Sequence, residues 1–177
     1  TKILAIPSSA AIPAANSGPF PPNASSVEAL ISRPRSTDTA RIARIIVDAA
    51  SGASGAGRGL KHGSLFGSVN EDFGAYGLLD HRHTPEMQDQ IGAELLFTPH
   101  LAPMNRGILA TCYARPVGKA TTASLLATLA SFYRNEPFVT VNTNSPSTKA
   151  TLGSNAVHIT ARLDERTGTV MVIAAID

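Results

Sequence analysis

Apolar positions recur along the chain with two different spacings, and the changes between them mark out the elements. "STDTARIARIIVDAAS" carries the β-branched run Ile45-Ile46-Val47 and predicts a buried strand over about 43–49. "AELLFTPHLAP" predicts a short strand over about 93–98, and "RGILATCYARP" a longer one over about 106–115, ended by Pro116 and Gly118. "KATTASLLATLASFYRNE" changes period: Leu125, Leu126, Leu129, Phe132 and Tyr133 fall at offsets near three and four, giving a helix with one apolar face. "PFVTVN", "NAVHITARL" and "TVMVIAAID" return to strand patterning. The last two flank "DERTG", whose Gly168 suits the left-handed position of a hairpin turn.

Two further helices are predicted from their end signals. Thr84-Pro85-Glu86 supplies a hydroxyl N-cap, a proline in the first turn and an acid facing the positive end of the dipole, for a helix over 85 to about 92. "VEALISRPRS" has room for a turn or two before Pro34. With five or six strands, short or hairpin connections and two or three helices, the fold class is α+β: a mixed, largely antiparallel sheet with helices on one face. Residues 7–27 hold five of the twelve prolines and no periodicity, so residues 1–40 read as an irregular Pro/Ala/Ser-rich arm and residues 41–177 as the folded domain.

Composition narrows the function classes. A chain of 177 residues with 43% hydrophobic content can bury one core. Its net charge of +2 is scattered rather than gathered into a stripe, so no nucleic-acid partner is implied. One cysteine and no membrane-spanning apolar run fit a soluble, reducing, cytoplasmic setting.

Chemistry has three places to sit. "SGASGAGRG", residues 51–59, has four glycines that permit positive φ and close approach to a ligand, but lacks the lysine and hydroxyl of a P-loop and the helix of a dinucleotide fold. A ligand-facing loop and a plain glycine turn both remain open. Cys112 alternates with Ile108 and Ala110 on one strand face and reads as core filler rather than nucleophile. In "DHRHTPEM", His81 and His83 could share a face as a metal pair, serve as polar loop residues, or provide an acid/base. For the last, a helix N-terminus disfavours the imidazolium and lowers the pKa.

Taken together and in order, "SGASGAGRG", "HRHTPEM", "FTPHLAPMNRGILATCYARP" and "GSNAVHITARLDERTGTVMVIAAID" resemble N-acetyl-γ-glutamyl-phosphate reductase of arginine biosynthesis, a relative of aspartate-semialdehyde dehydrogenase, over about residues 42–177. The resemblance implies a glyceraldehyde-3-phosphate-dehydrogenase-like C-terminal domain and a homo-oligomer. It also implies an oxidoreductase that reduces an acyl phosphate to an aldehyde with NADPH: a thiolate attacks the acyl carbon, phosphate leaves, and hydride transfer to the thioester follows. On the matching positions, His81 is the implied acid/base. His83, Glu86, Arg58 and Arg106 are implied at the substrate, and Ser51, Gly52, Ser54, Gly55 and Gly57 near the cofactor. The family's Pro-Gly-Cys-Tyr-Pro-Thr motif and its amino-terminal cofactor domain have no counterpart here. The expectation is therefore a catalytic and dimerisation domain that is inactive alone. A non-catalytic dimerisation or partner-binding module and a metal-dependent hydrolase are the alternatives.

Overall fold

The computed structural model describes residues 44–57, 59 and 62–177. The arm, the helix predicted before Pro34, and Arg58 lie outside the described residues. One seven-stranded sheet organises the chain: β1 (Ile45–Ser51), β2 (Gly74–Ala75), β3 (Leu95–Leu101), β4 (Ile108–Ala114), β5 (Val139–Val141), β6 (Val157–Asp164) and β7 (Thr169–Ile176). Their order across the sheet is β2-β3-β1-β4-β7-β6-β5. Two pairings, β1 with β3 and β5 with β6, are parallel, and the other four are antiparallel. The mixed, largely antiparallel sheet expected from the pattern is the sheet observed.

Among the described residues four α-helices accompany it: α1 (Phe66–Val69), α2 (Thr84–Ile91), α3 (Thr122–Phe132) and α4 (Thr148–Thr151). The apolar spacing of α3 buries Leu125 and Leu129 against Val47, Cys112, Ile159, Ala161, Val170, Val172 and Ala174. Each of those leucines contributes about 2 kcal/mol by leaving water. Phe132 departs from expectation: it is 40% exposed and stands edge-on to Tyr133, because the helix ends there and turns its last side chain off the sheet. A capping box starts α3: Thr121 Oγ1 accepts the Ser124 N–H at 3.1 Å, and Ser124 Oγ accepts the Thr121 N–H at 2.9 Å.

The sheet has two unlike faces. Val47, Cys112 and Val172 form one row on the face that α2 and α3 cover. The opposite face takes no part in that cluster: Ala175 and Thr160 on it are buried, while the row of Leu96, Ile46, Tyr113 and Met171 in register stays half-open. Strand β3 runs on through Pro99, where the sequence pattern ended it at 98. Proline is tolerated because its missing N–H and its carbonyl face the same side, the sheet edge, where that carbonyl accepts only the Tyr76 N–H at 3.1 Å.

Strands β6 and β7 close as the expected hairpin. Gly168 has φ 67°, its N–H donates to the Asp164 carbonyl at 2.8 Å, and the Thr167 hydroxyl donates to the Asp164 carboxylate at 2.6 Å.

Candidate functional site

Because β1 and β3 are parallel, their C-terminal ends emerge side by side, Ser51 opposite Leu101. The glycine loop leaves one and the Met104–Gly107 turn leaves the other. The Gly52 N–H donates to the Gly107 carbonyl at 2.9 Å, Ala53 N–H to Met104 at 2.9 Å and Ser54 N–H to Asn105 at 3.0 Å. Gly55 and Gly57 donate within the loop, to Gly52 and Ser54. These amides are therefore engaged by the chain itself and do not form an anion cradle.

Gly52 is buried, and a Cβ there would stand 2.5 Å from the Arg106 nitrogen, so its missing side chain is taken up by the protein's own backbone. Gly55 and Gly57 differ: both are exposed with open space where a Cβ would be, and Gly57 has φ 79°. Ser51 is half-buried and its hydroxyl donates to the His100 carbonyl at 3.4 Å, while Ser54 is exposed. Arg106 Nη1 lies 3.3 Å from Asp177 Oδ2, a carboxylate oxygen that also accepts the Gly153 N–H at 3.1 Å. The guanidinium remains mostly exposed, so part of its donor fork still faces solvent.

The second group gathers at the mouth of α2. Gly77, at φ 53°, and Leu79, at φ 64°, turn the chain back from Tyr76 to His81. The His81 carbonyl then accepts the Thr84 N–H at 2.9 Å, and His81 Nδ1 accepts the His83 N–H at 3.3 Å. Thr84 is thus the first helical residue rather than the cap. His83 stands at the cap position, with no side-chain cap bond, because the chain is already near helical geometry there.

Three rings stand edge-on to the His81 imidazole: Tyr76 at 5.7 Å, Phe97 at 5.1 Å and His83 at 5.1 Å between centroids. His83 Nε2 in turn accepts from Arg82 Nε at 3.1 Å, and Glu86 is exposed in the first turn of α2. The His81 pKa is lowered. Burial is the largest cause, the neighbouring His83 and Arg82 add to it, and Asp80 opposes them. The direction anticipated from the helix terminus holds, but its causes are burial and the neighbouring side chains rather than the helix dipole.

The structure therefore brings His81, His83 and Glu86 together, and separately Ser51–Gly57 with Arg106. The two groups meet β3 at Phe97 and Leu101, four residues or about 13 Å apart along the strand. Tyr76 and Phe97 were not found from the sequence, since only the turn at Gly77 and Leu79 carries their rings to His81. Cys112 is 3% exposed inside the core, where burial, with Asp48 nearby, pushes its thiol pKa up to about 12. A shallow pocket of about 290 Å³ lined by Arg44, Gln88, Glu94, Leu95 and Leu96 lies at the opposite end of β3 from the glycine loop. Among the described residues no three His, Cys, Asp or Glu side chains converge as metal ligands, and no helix is long and apolar enough to cross a membrane.

A family model for the semialdehyde dehydrogenase dimerisation domain matches residues 24–177. The chain belongs to that family. Its match begins upstream of residue 42, where the motifs start. N-acetyl-γ-glutamyl-phosphate reductase of Geobacter sulfurreducens is 51% identical over 144 residues, 76% of this chain and 42% of that protein. The reductases of Citrifermentans bemidjiense and Pelotomaculum thermopropionicum are 49% and 42% identical, covering 75% and 92% of this chain and 41% and 48% of their own lengths. The chain thus spans less than half the length of these curated relatives. Among solved structures, aspartate semialdehyde dehydrogenase II of Vibrio cholerae superposes with a TM-score of 0.60 at 12% identity, over 77% of this chain and 49% of that one. At that identity the likeness is one of fold.

Proposed function

We propose that this chain is the substrate-binding and dimerisation portion of an N-acetyl-γ-glutamyl-phosphate reductase, a cytoplasmic enzyme of arginine biosynthesis, with His81 as its acid/base. The observation that carries the reading is the setting of His81: an imidazole with a lowered pKa, faced by Tyr76, Phe97 and His83 at a helix mouth, in a chain about half identical to reductases of that name.

With Nδ1 occupied by the His83 N–H, Nε2 is the nitrogen left to work on substrate. Its Nε2–H hydrogen-bonds the thiolate of a cysteine from outside this sequence, since Cys112, the one cysteine here, is sealed in the core, and the thiol proton passes to solvent. Nε2 gives its proton to the acyl oxygen as the thioester is reduced, Nδ1 meanwhile taking one from solvent, and regains it from that oxygen as the aldehyde is released. Arg106, with part of its fork exposed, can engage the substrate's phosphate or carboxylate, and Arg58, His83 and Glu86 complete the proposed substrate contacts.

NADP, when bound, supplies the hydride. The open surfaces of Gly55 and Gly57 fit close approach by a flat ring, with Ser51, Gly52 and Ser54 shaping the loop beneath. The engaged amides do not fit phosphate binding, which would fall to residues elsewhere.

The test is NADP- and phosphate-dependent oxidation of N-acetylglutamate semialdehyde, with this chain combined with a cofactor-binding chain from a relative. The expected result is no turnover by either chain alone and turnover by the pair, reduced about 10²- to 10⁴-fold by His81→Ala. Full activity of the His81→Ala pair would refute the assignment.

A second reading, a homodimerisation module without turnover, is favoured by the half-open face bearing Ile46, Leu96, Tyr113 and Met171. Light scattering of the isolated chain distinguishes a dimer from a monomer, and dimers inactive in every pairing would favour this reading.

A further inference from the structure

We propose that Tyr76 and Phe97 are positioning residues for His81: their rings fix the plane of the imidazole while the His83 amide occupies Nδ1, so that a proton-bearing Nε2 alone is offered to substrate.

The inference deepens the acid/base reading of His81 and rests on it. Its basis is geometric. Tyr76 and Phe97 meet the imidazole at 63° and 75°, so both contacts are of the edge-to-face kind that aromatic rings prefer. Both rings are held by β3. Phe97 sits in the middle of that strand, in register with Val47, and the Tyr76 N–H is bound to Pro99 two residues further on. The bracket is thus mounted on the sheet rather than on the turn that carries His81.

The turn itself is shaped for the meeting. Asp80 N–H donates to the Gly77 carbonyl at 3.4 Å, and the two left-handed residues, Gly77 and Leu79, let side chains five apart in sequence face each other. At Gly77 it is the positive φ that demands glycine, because a Cβ would meet His81 Cδ2 only at ordinary contact, 3.4 Å.

The His83 amide settles the tautomer. An imidazole nitrogen that accepts an N–H carries no proton, so the neutral ring holds its proton on Nε2. Protonating Nδ1 would set two donors against each other. The resting His81 therefore donates from Nε2, ready to stabilise a thiolate or an acyl oxygen, and becomes a base at that atom only once Nδ1 has taken up a proton from solvent in its place. The titratable or charged groups around the ring are Asp80, Arg82 and His83 of its own turn and the Tyr76 phenol; β3 presents the apolar Phe97. A tyrosine 44% exposed gives little to the core, so its contact with His81 calls for a local explanation.

The test reads the ring and not turnover. The chain is labelled with ¹⁵N in its histidine rings, and His81 is assigned as the signal lost in His81→Gln. The expected wild-type spectrum shows the Nε2–H tautomer and a titration midpoint below that of an open histidine. In Tyr76→Leu the midpoint rises toward that of an open histidine and the tautomers mix, whereas Tyr76→Phe keeps the wild-type pattern. Phe97→Leu is expected to behave as Tyr76→Leu does. Because Phe97 is half-buried, the amide spectrum is recorded alongside, and the exposed Tyr76 variants decide if the Phe97 variant does not fold. An Nδ1–H tautomer in the wild type, or a Tyr76→Leu titration and tautomer identical to wild type in a folded chain, would overturn the proposal. Should the paired-chain assay show His81→Ala to be fully active, the acid/base reading fails while these ring measurements still report on the bracket, so the two failures are separable.

Discussion

Replacing Gly52 with alanine tests whether that glycine serves the protein's own packing. Its φ of −72° and ψ of 162° are open to any residue, so conformational preference adds little to the effect. The cost is steric. A Cβ would lie 2.5, 2.6 and 2.8 Å from the backbone N, Cα and C of Arg106, atoms that no rotamer change can move aside. To restore ordinary contact the two loops must part by about 1 Å, enough to forfeit much of their mutual dispersion attraction. Overpacking of this kind costs about 1–3 kcal/mol. The same displacement strains the three bonds at 2.9, 2.9 and 3.0 Å that tie Gly52, Ala53 and Ser54 to the turn, each worth about 1 kcal/mol net. A loss of about 2–5 kcal/mol is expected. In urea, with a slope of about 2 kcal/mol/M, the unfolding midpoint followed by circular dichroism should fall by about 1 M or more. Gly55→Ala is the control, because nothing lies within 4 Å of its Cβ position, and its stability should stay within about 0.5 kcal/mol of wild type. Equal midpoints for the two variants would refute the packing argument.

Two further outcomes are expected. Cys112, buried with its pKa pushed up to about 12, should resist a thiol-directed disulfide reagent at pH 8 in the native chain and react stoichiometrically in denaturant; rapid native labelling would contradict its placement. Thr121→Ala removes one half of the reciprocal cap on α3 and should cost about 1 kcal/mol by urea melt, with Thr121→Ser largely restoring it.

The sheet was legible in sequence wherever strands were long and their burial one-sided. The β6–β7 hairpin and β4 stand where alternation and Gly168 placed them, and α3 follows its leucines. What escaped was whatever the third dimension supplies. Two-residue β2 has no period to read, and Pro99 stays in a strand only because of which side of β3 is bare. The candidate site divides in the same way. His81 could be placed at a helix mouth from "HRHTPEM", and its lowered pKa anticipated in sign. The leading cause, burial, depends on neighbours that no local pattern names: Tyr76 comes from across a left-handed turn and Phe97 from the middle of another strand. Arg106 shows the opposite case: the sequence offered a guanidinium, and the fold engages it with Asp177 and presses its backbone against Gly52.

The sheet's two border strands also set how it can grow. One, β2, has two residues and the other, β5, has three, so neither offers a run of unpaired backbone long enough to template an added strand. Next to β2, the outward side of β3 is interrupted by a residue with no N–H to give, Pro99. Among the described residues, lateral extension, the route to ribbons and aggregates, is blunted at both borders.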